Sequence, residues 1–372
     1  MKIAFITSSL EGGGAPFQVH PTVRVLRDQG HQVEVFALTL RDGKALPALK
    51  NDDFNVHVRS GGDKDHWAAF HWLKTELISY QPTLIWTSVA RASLMGIILA
   101  KQLSIPVVCW QHCVYLKPIT KLLYYLLRNQ VTLWIGDSDV VTDVTRERFN
   151  VPAEKIATWS LFAIDPNAPL AQPWLTGQVL KIGSLGRLHV QKSYAVLIAA
   201  FAILKKKGIV LPVKFEVLIA GDGPEREALL QDILNHDCSE IKLIGYVDNP
   251  KQFLAGLHLY LQPSNREGFC IAVHEAMQAG LPVIASDTGQ IPYSVNKDNG
   301  WVVPASDPTA LADALIDALS KPEQLYSVGQ NAREFIQPLY SQKTFEESGI
   351  KILYRLEKLI NSKPSQNQIK PN

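Results

Sequence analysis

The sequence predicts an α/β protein made of two Rossmann-like, doubly wound domains that face each other across a cleft. Short apolar or β-branched runs alternate with longer helical patterns from end to end. The alternation stops in a proline-containing stretch around Asp165–Gly177 and then starts again. A chain of 372 residues is also too long for one ordinary core.

The first domain is predicted to span residues 1–170. Nearly continuous apolar runs are typical of strands buried on both faces of a parallel sheet. Five such strands are predicted: Ile3–Ile6, Val33–Leu38, Leu84–Thr87, Val107–Trp110 and Leu133–Gly136. Helical spacing lies between them in Phe17–Gln29, Trp67–Tyr80 and Ala92–Gln102.

The second domain is predicted to span residues 171–339 and repeats the pattern. Its six strands are Lys181–Ser184, Phe215–Ala220, Ile241–Gly245, Leu259–Gln262, Pro282–Ala285 and Gly300–Val303. A last helix at about 340–360 is expected to pack back on the first domain, and polar residues 361–372 to be disordered. Since parallel sheets bind ligands at the carboxyl ends of their strands, the cleft is the predicted site.

Composition excludes several classes of protein. Hydrophobic residues at 47% and charged residues at 19% describe a core-forming chain, and a net charge of +2 does not suggest nucleic-acid binding. Four cysteines show neither disulfide-like nor zinc-like spacing, which favours reduced thiols in a cytoplasmic protein. No apolar stretch reaches the roughly 18 residues of a spanning helix.

Two glutamates frame the most informative stretch. Glu267 falls in a predicted loop and Glu275 in the helix that follows, while Gly268 lets the backbone approach a ligand. The next three amides, of Phe269, Cys270 and Ile271, are free donors at a helix N-terminus, which suits an anion. Acceptors on both sides of such donors fit a nucleotide sugar. Taken alone, a capping Glu267 and a solvated Glu275 explain the pair equally well.

A second strand-end loop carries two cations. Arg187 and Lys192 follow the predicted strand Lys181–Ser184, where they could neutralise a diphosphate. The alternative is a pair of solvated surface cations.

Two glycine-containing loops complete the set. Gly221 and Gly223 form a tight turn with either a structural or a binding role, and Gly13 and Gly14 follow the first strand. A dinucleotide-binding fingerprint would need glycine where Phe17 stands, so an oxidoreductase is disfavoured.

With these motifs the chain resembles the retaining glycosyltransferases of family 4, also called group 1, which have the GT-B architecture. The resemblance spans nearly the whole chain and is strongest from about residue 180 to 310. It is carried by Gly186-Arg187-Leu188 with Lys192, Gly221-Asp222-Gly223-Pro224, Glu267-Gly268-Phe269, Glu275-Ala276-Met277, Gly280–Ala285 with Gly289, Gly13-Gly14, and Gly30-His31-Gln32-Val33.

The resemblance implies a role for each of these positions. The catalytic group would be Arg187 and Lys192 on the donor diphosphate, Glu267 on the transferred sugar, and His112 as a further sugar contact. The remaining donor-binding residues would be Gly13, Gly14, Gly221, Gly223, Tyr246, Val247, Gly268, Phe269, Cys270, Ile271 and Glu275. Among these, Glu275 would bind the ribose, and the turns at Gly221–Gly223 and Gly245–Val247 would line the base pocket.

The resemblance also implies a reaction and its setting. A UDP- or GDP-linked sugar would pass with retention to a glycan or lipid-linked acceptor bound by the first domain, without metal or cofactor. The product would belong to cell-surface polysaccharide, lipopolysaccharide or glycolipid. Tyr115–Arg128 mixes apolar, aromatic and basic residues, so peripheral contact with the inner face of the membrane competes with a core-helix interpretation.

The chain departs from the family pattern at three places. Ser193 stands where glycine is common, and Cys270 stands where glycine or proline is common. Either residue could tune sugar preference. Phe162-Ala163-Ile164-Asp165 replaces the usual Asn-Gly-Val-Asp. A nucleotide-sugar epimerase and a non-catalytic sugar-nucleotide-binding protein remain alternatives, and the sugar, base, acceptor, linkage and oligomeric state are undetermined.

Overall fold

The structure, a computed structural model, describes residues 1–362. The chain forms two compact units. The first comprises Met1–Leu161 with the chain from Phe345 onward, and the second is Phe162–Thr344. The first unit therefore ends before the predicted boundary at about residue 170. Most of the tail predicted at 361–372 lies outside the described residues.

The first unit contains a seven-stranded parallel sheet. Its strands are β1 (Lys2–Thr7), β2 (Gln32–Ala37), β3 (Val56–Val58), β4 (Leu84–Ser88), β5 (Val107–Gln111), β6 (Leu133–Gly136) and β7 (Ile156–Thr158). Its helices are α1 (Gly14–Phe17), α2 (Val19–Asp28), α3 (Leu46–Asn51), α4 (His66–Tyr80), α5 (Ala90–Leu103), α6 (Pro118–Leu127) and α7 (Asp139–Phe149). The strand order is β3-β2-β1-β4-β5-β6-β7, so the winding direction reverses between β1 and β4.

The second unit contains a six-stranded parallel sheet. Its strands are β8 (Leu180–Leu185), β9 (Phe215–Ala220), β10 (Ile241–Gly245), β11 (Leu259–Gln262), β12 (Val283–Ser286) and β13 (Gly300–Val303). Its helices are α8 (Tyr194–Lys206), α9 (Arg226–Asn235), α10 (Pro250–Ala255), α11 (Ile271–Gln278), α12 (Ile291–Ser294), α13 (Pro308–Ser320) and α14 (Leu325–Ile336). The order β10-β9-β8-β11-β12-β13 places the switch point between β8 and β11.

The two doubly wound α/β domains of the predicted fold class are confirmed. All six strands predicted for the second unit exist, each within about two residues of its predicted limits. In the first unit the two edge strands, β3 and β7, were missed. Each has only three residues and leaves no readable alternation or apolar run. Among the described residues, no helix is long and apolar enough to cross a membrane.

Both faces of the first sheet are packed, because neighbouring side chains on a strand point to opposite sides. Ile85 joins the apolar cluster on one face. Trp86 points to the other face, where its ring meets Trp110 at 6.4 Å and Trp159 at 5.9 Å between centroids. Trp110 and Trp159 stack at 5.1 Å. The first unit thus has a tryptophan layer on the face opposite its aliphatic core.

The last helix, α15 (Gln342–Asn361), packs against this tryptophan layer. The Trp159 indole N–H donates to the Phe345 carbonyl at 3.0 Å, and the two rings lie 5.3 Å apart. At Gly349 an added Cβ would lie 2.5 Å from the Trp159 ring and 2.8 Å from Val25. Glycine is therefore required sterically where α15 approaches the first unit.

We expect Gly349→Leu to lower the free energy of unfolding of the first unit by about 2 kcal/mol, because an overpacked contact outweighs the gain in helix propensity. Urea unfolding followed by tryptophan fluorescence would measure it. Lys351→Leu, at an exposed position on the same helix, is the matched control and should change stability by less than about 0.5 kcal/mol. Equal effects of the two variants would contradict the packing described for Gly349.

Candidate functional site

The switch point of the second unit brings Lys192 and Glu267 together. Lys192 lies in the loop after β8 and Glu267 in the loop after β11, and these strands are neighbours in the sheet. Lys192 Nζ is 2.7 Å from Glu267 Oε1. The backbones of the two loops are also joined, since the Asn265 N–H donates to the Gln191 carbonyl at 3.0 Å. Two residues assigned separately from the sequence thus form one ion pair.

This ion pair is largely shielded from water. The side chains of Lys192 and Glu267 are 24% and 10% exposed. Burial alone would lower the pKa of Lys192, but the Glu267 carboxylate outweighs burial and holds that pKa above its ordinary value. The ammonium therefore stays charged at physiological pH and is neutralised by Glu267 when no external anion is bound.

Glycines hold the β8 loop in place through backbone contacts. At Gly221, where φ is +142°, an added Cβ would lie 1.9 Å from the Gly186 carbonyl oxygen. At Gly223 the corresponding atom would lie 2.3 Å from the Leu188 carbonyl oxygen. Both glycines thus have a structural cause, because the turn after β9 rests directly on the loop after β8. Their predicted contact with a base stays a prediction.

Arg187 stands on this braced loop with its side chain exposed. In the described part of the chain, none of the hydrogen bonds or ion pairs involves its guanidinium. A charged fork on a rigid loop, without an internal partner, can bind a phosphate in two-point fashion. The role predicted for Arg187 stays a prediction.

Tyr246 and Val247 leave the edge strand β10 on the same side of the sheet. The turn is tied to its neighbour, because the Gly221 N–H donates to the Gly245 carbonyl at 2.7 Å. Tyr246 is 48% exposed and Val247 partly so. An apolar surface therefore lies at the end of β10, as a base-lining role needs.

Two departures from the family pattern occupy left-handed backbone. Ser193 has φ +50° directly before α8, and Cys270 has φ +64° directly before α11. Glycine adopts this region without steric cost, whereas other residues are strained there. The structure thus gives a backbone reason for a glycine preference at both positions. Any effect of these residues on sugar choice remains a prediction.

The turn at Cys270 leaves a row of amides without internal partners. Within residues 1–362, the N–H groups of Phe269, Cys270 and Ile271 donate to no protein acceptor. A left-handed residue next to a helix start is typical of the backbone nests that bind anions. The Phe269 ring cannot take part, since it is buried against His274 with 3.9 Å between ring centroids. Phe269 can contribute only its backbone.

A third loop supports this nest from behind. The Gln290 N–H donates to the Gly268 carbonyl at 2.8 Å. Gly289 has φ +57°, and a Cβ there would lie 2.2 Å from the same carbonyl oxygen. The loop after β12 therefore fixes the position of the Glu267–Gly268 backbone.

Glu275 lies in the second turn of α11 and is half-buried. Burial raises the pKa of its carboxyl to about 7, and the positive charge of Lys251 opposes this only partly. Among the hydrogen bonds and ion pairs of the described residues, none involves this carboxylate. A desolvated carboxylate without a protein partner is ready to accept hydrogen bonds from ligand hydroxyls.

The first unit places His112 at the end of β5, between Ser88 and Asp137. His112 Nε2 is 2.8 Å from Ser88 Oγ, and Nδ1 is 3.7 Å from Asp137 Oδ2. Nδ1 is buried and has no hydrogen-bond partner. Sequence reasoning missed Ser88 and Asp137. A signal was available in the two strands that flank β5. A polar residue ends β4, and another directly follows β6.

Gly13 and Gly14 follow β1. Gly13 is extended, with φ 163°, and an added Cβ would meet no atom within 4 Å. The fold itself therefore does not require glycine at position 13. The preceding turn is fixed by Asp42, whose Oδ1 accepts from the Gly12 N–H at 2.7 Å. Asp42, like Ser88 and Asp137, is a residue that the sequence did not reveal.

Nowhere in residues 1–362 do three or more His, Cys, Asp or Glu side chains form a group that could hold a metal ion.

Two family models match the chain. The one described as "Glycosyl transferases group 1" matches residues 175–335, and the one described as "Glycosyltransferase Family 4" matches residues 12–162. Together they match most of the residues of both units.

Proteins of similar sequence include a synthase and a glycosyltransferase. The N-acetyl-alpha-D-glucosaminyl L-malate synthase of Bacillus anthracis is 35% identical over 34% of this chain and 34% of its own length. The amylovoran biosynthesis glycosyltransferase AmsK of Erwinia amylovora is 31% identical over 48% of this chain and 46% of its own. The chain thus matches about a third to a half of the length of these curated relatives.

A solved structure, Anabaena Alr3699/HepE in complex with UDP-glucose, superposes with a TM-score of 0.82. It covers 95% of this chain and 99% of its own at 19% identity, which shows the shared fold.

We expect Ser193→Gly to raise the free energy of unfolding of the second unit by about 0.5–1 kcal/mol, since glycine relieves the left-handed strain. Chemical denaturation would measure the change. Ser327→Gly, at an exposed position inside α14, should instead destabilise by about 0.5–1 kcal/mol. A loss of stability in both variants would show that position 193 carries no such strain.

Glu275→Gln should stabilise the second unit at pH 8 by about 1–2 kcal/mol, a value reduced for the partial exposure of the side chain. The folded-state pKa near 7 lies above the ordinary value of 4.5. The penalty for ionising Glu275 is therefore absent below about pH 4.5 and grows as pH rises to about 7. Unfolding at pH 8 and at pH 4.5 should show the gain only at pH 8. Glu227→Gln, on the surface of α9, is the control, and a pH-independent gain in Glu275→Gln would refute the burial effect.

Proposed function

The chain belongs to the group 1 and family 4 glycosyltransferases, and we propose that it transfers a sugar from a nucleotide-diphosphate sugar to a saccharide or lipid-linked saccharide. We propose retention of the anomeric configuration and no metal requirement. The setting we propose is the cytoplasm, in cell-surface polysaccharide or glycolipid synthesis.

The observation that carries this proposal is the Lys192–Glu267 pair at the switch point of the second unit. A diphosphate carries more negative charge than one carboxylate. Its oxygens can also accept hydrogen bonds from the free backbone N–H groups of Phe269–Ile271. The donor diphosphate would therefore replace Glu267 as the ion-pair partner of Lys192. The released Glu267 carboxylate would accept hydrogen bonds from the sugar hydroxyls. This one exchange of partners thus forms both the contact of Lys192 with the phosphate and the contact of Glu267 with the sugar.

The other donor contacts follow from charge and burial. Arg187, exposed and unpaired in the described structure, would add its positive charge to the leaving diphosphate. Glu275 would accept from the ribose hydroxyls, which supply the partners that its half-buried carboxylate lacks. From the first unit we propose that the Gly13–Gly14 amides approach the diphosphate and that His112 contacts the sugar. Tyr246 and Val247 would line the base.

The chemical step we propose takes place on one face of the sugar. The bond from the anomeric carbon to the β-phosphate oxygen breaks, and a bond from that carbon to the acceptor oxygen forms. The acceptor's hydroxyl proton passes to the departing phosphate oxygen. Arg187 and Lys192 would stabilise the charge that develops on the nucleoside diphosphate. No protein nucleophile is required by this sequence of events.

The names of the similar proteins support the choice of substrates. The Anabaena structure holds UDP-glucose, and the Erwinia relative is named for amylovoran biosynthesis. We therefore propose a UDP-linked donor first and a GDP-linked donor second, with a polysaccharide precursor as acceptor. Four free cysteines are consistent with the cytoplasmic setting.

The test is a panel of UDP-, GDP- and ADP-sugars, read by thermal unfolding and by release of the nucleoside diphosphate. A donor at about a hundredfold excess over its Kd should stabilise the protein by about 2.7 kcal/mol. Glu275→Gln, although more stable at pH 8, should bind that donor about tenfold more weakly. Absence of stabilisation and of product with every sugar nucleotide would refute the proposed function. Interconversion of the sugar nucleotides without transfer would identify an epimerase.

Two variants test the exchange of partners at Lys192. Lys192→Gln should weaken UDP binding by about 30- to 100-fold, because a charged contact to phosphate is lost. Glu267→Gln should bind UDP as tightly as the wild type or up to about tenfold more tightly, since the competing carboxylate is gone, and its transfer rate should fall by more than about tenfold.

The matched control is Glu216→Gln, which breaks the exposed Lys242–Glu216 pair of 2.9 Å in the same unit. It should leave UDP binding unchanged. If Glu267→Gln weakens UDP binding as much as Lys192→Gln does, the two residues do not compete as proposed.

A further inference from the structure

Helix α6 carries large apolar side chains on its solvent side. Ile119, Leu122 and Leu126 are 60%, 53% and 64% exposed. They are three, four and seven residues apart, so they share one face of the helix. We call Ile119, Leu122, Leu123, Tyr125 and Leu126 the α6 apolar face. This is the side of a surface helix that is normally polar.

The opposite side of α6 already supplies its core contacts. Tyr124 is fully buried, and its ring meets Trp134 and Phe149 edge-on at 5.6 Å each. It is the one fully buried residue of α6. The helix is thus anchored by one face while the α6 apolar face stays uncovered. The core-helix interpretation of this segment does not account for that face.

Cations border the α6 apolar face. From Cys113 to Ile135 the sequence contains Lys117, Lys121 and Arg128 and no acidic residue. The Arg128 guanidinium lies over the Tyr125 ring at 3.9 Å from its centroid. An aromatic ring with a cation above it, next to exposed leucines, matches the polar-to-apolar gradient at a lipid headgroup layer.

We propose that the α6 apolar face lies on the surface of a membrane containing anionic lipids. Leu122, Leu126 and Ile119 would enter the boundary between headgroups and acyl chains, and Lys117, Lys121 and Arg128 would bind the anionic headgroups. Charge complementarity selects this occupant over a second copy of the chain. A two-fold contact of the face with itself would place cations against cations.

The proposal concerns a surface separate from the donor contacts of the second unit. Helix α6 follows the loop that leaves β5 and carries His112, within the unit assigned to the acceptor. A protein held at the bilayer by α6 would meet acceptors that diffuse in the plane of the membrane. Membrane binding itself does not depend on the proposed glycosyltransfer, so the two can fail independently.

The test is flotation of the full chain with phosphatidylcholine vesicles that contain about one third phosphatidylglycerol. The wild type should float with these vesicles, much less with pure phosphatidylcholine, and less again when salt is raised to about 0.5 M. The double variant Leu122→Glu with Leu126→Glu should bind at least about tenfold more weakly. Lys117→Gln with Lys121→Gln should reduce binding to the anionic vesicles only.

Leu234→Glu is the matched control, because Leu234 is 72% exposed on α9 of the other unit. It should float like the wild type, and all variants should keep wild-type thermal stability, because the substituted leucines and lysines are exposed or partly exposed. A wild type that stays with the unbound fraction, or equal loss in Leu234→Glu and the double variant, overturns the proposal. So does a dimer in sedimentation that Leu126→Glu dissociates, since the face would then belong to a second copy.

Discussion

The candidate site of the second unit depends on main chains that touch where no side chain would fit. The turn at Gly221 and Gly223 rests on the loop after β8, and Gly289 rests on the loop after β11. These contacts fix two loops that carry opposite charges. Lys192 and Glu267 then meet at 2.7 Å. The position of the charges is thus decided by residues that have no side chain.

The site also holds charge at some cost to the fold. Among residues 1–362, neither the desolvated Glu275 carboxylate nor the Arg187 guanidinium has a partner. Ser193 and Cys270 keep strained left-handed backbone. Each feature is unfavourable for a ligand-free protein. A ligand with hydroxyls at one end and negative charge in the middle would supply partners for Glu275 and Arg187. These features lie together in the loops at the switch point of the second unit. By contrast, the exposed Lys242–Glu216 ion pair of the same unit has both partners in place.

The sequence predicted those parts of the fold that depend on the pattern of neighbouring residues along the chain. The six strands of the second unit have apolar runs long enough to read, and Glu267 and Glu275 were placed correctly in a loop and in the following helix. What failed were features that depend on distant neighbours. The Lys192–Glu267 pair joins residues 75 positions apart. Ser88 and Asp137 acquire meaning only when parallel strands place them beside His112, and β3 and β7 are too short to carry a pattern.

The discontinuous make-up of the first unit has a consequence for synthesis. Its tryptophan layer is completed by Phe345 and the glycine at position 349, on a helix that follows the whole second unit. A ribosome therefore releases every strand of the first sheet long before the helix that covers Trp159 exists. The second unit, whose residues are contiguous, can fold as soon as it emerges. During that interval the exposed indoles of the first unit would be the natural target of chaperones and the origin of aggregation.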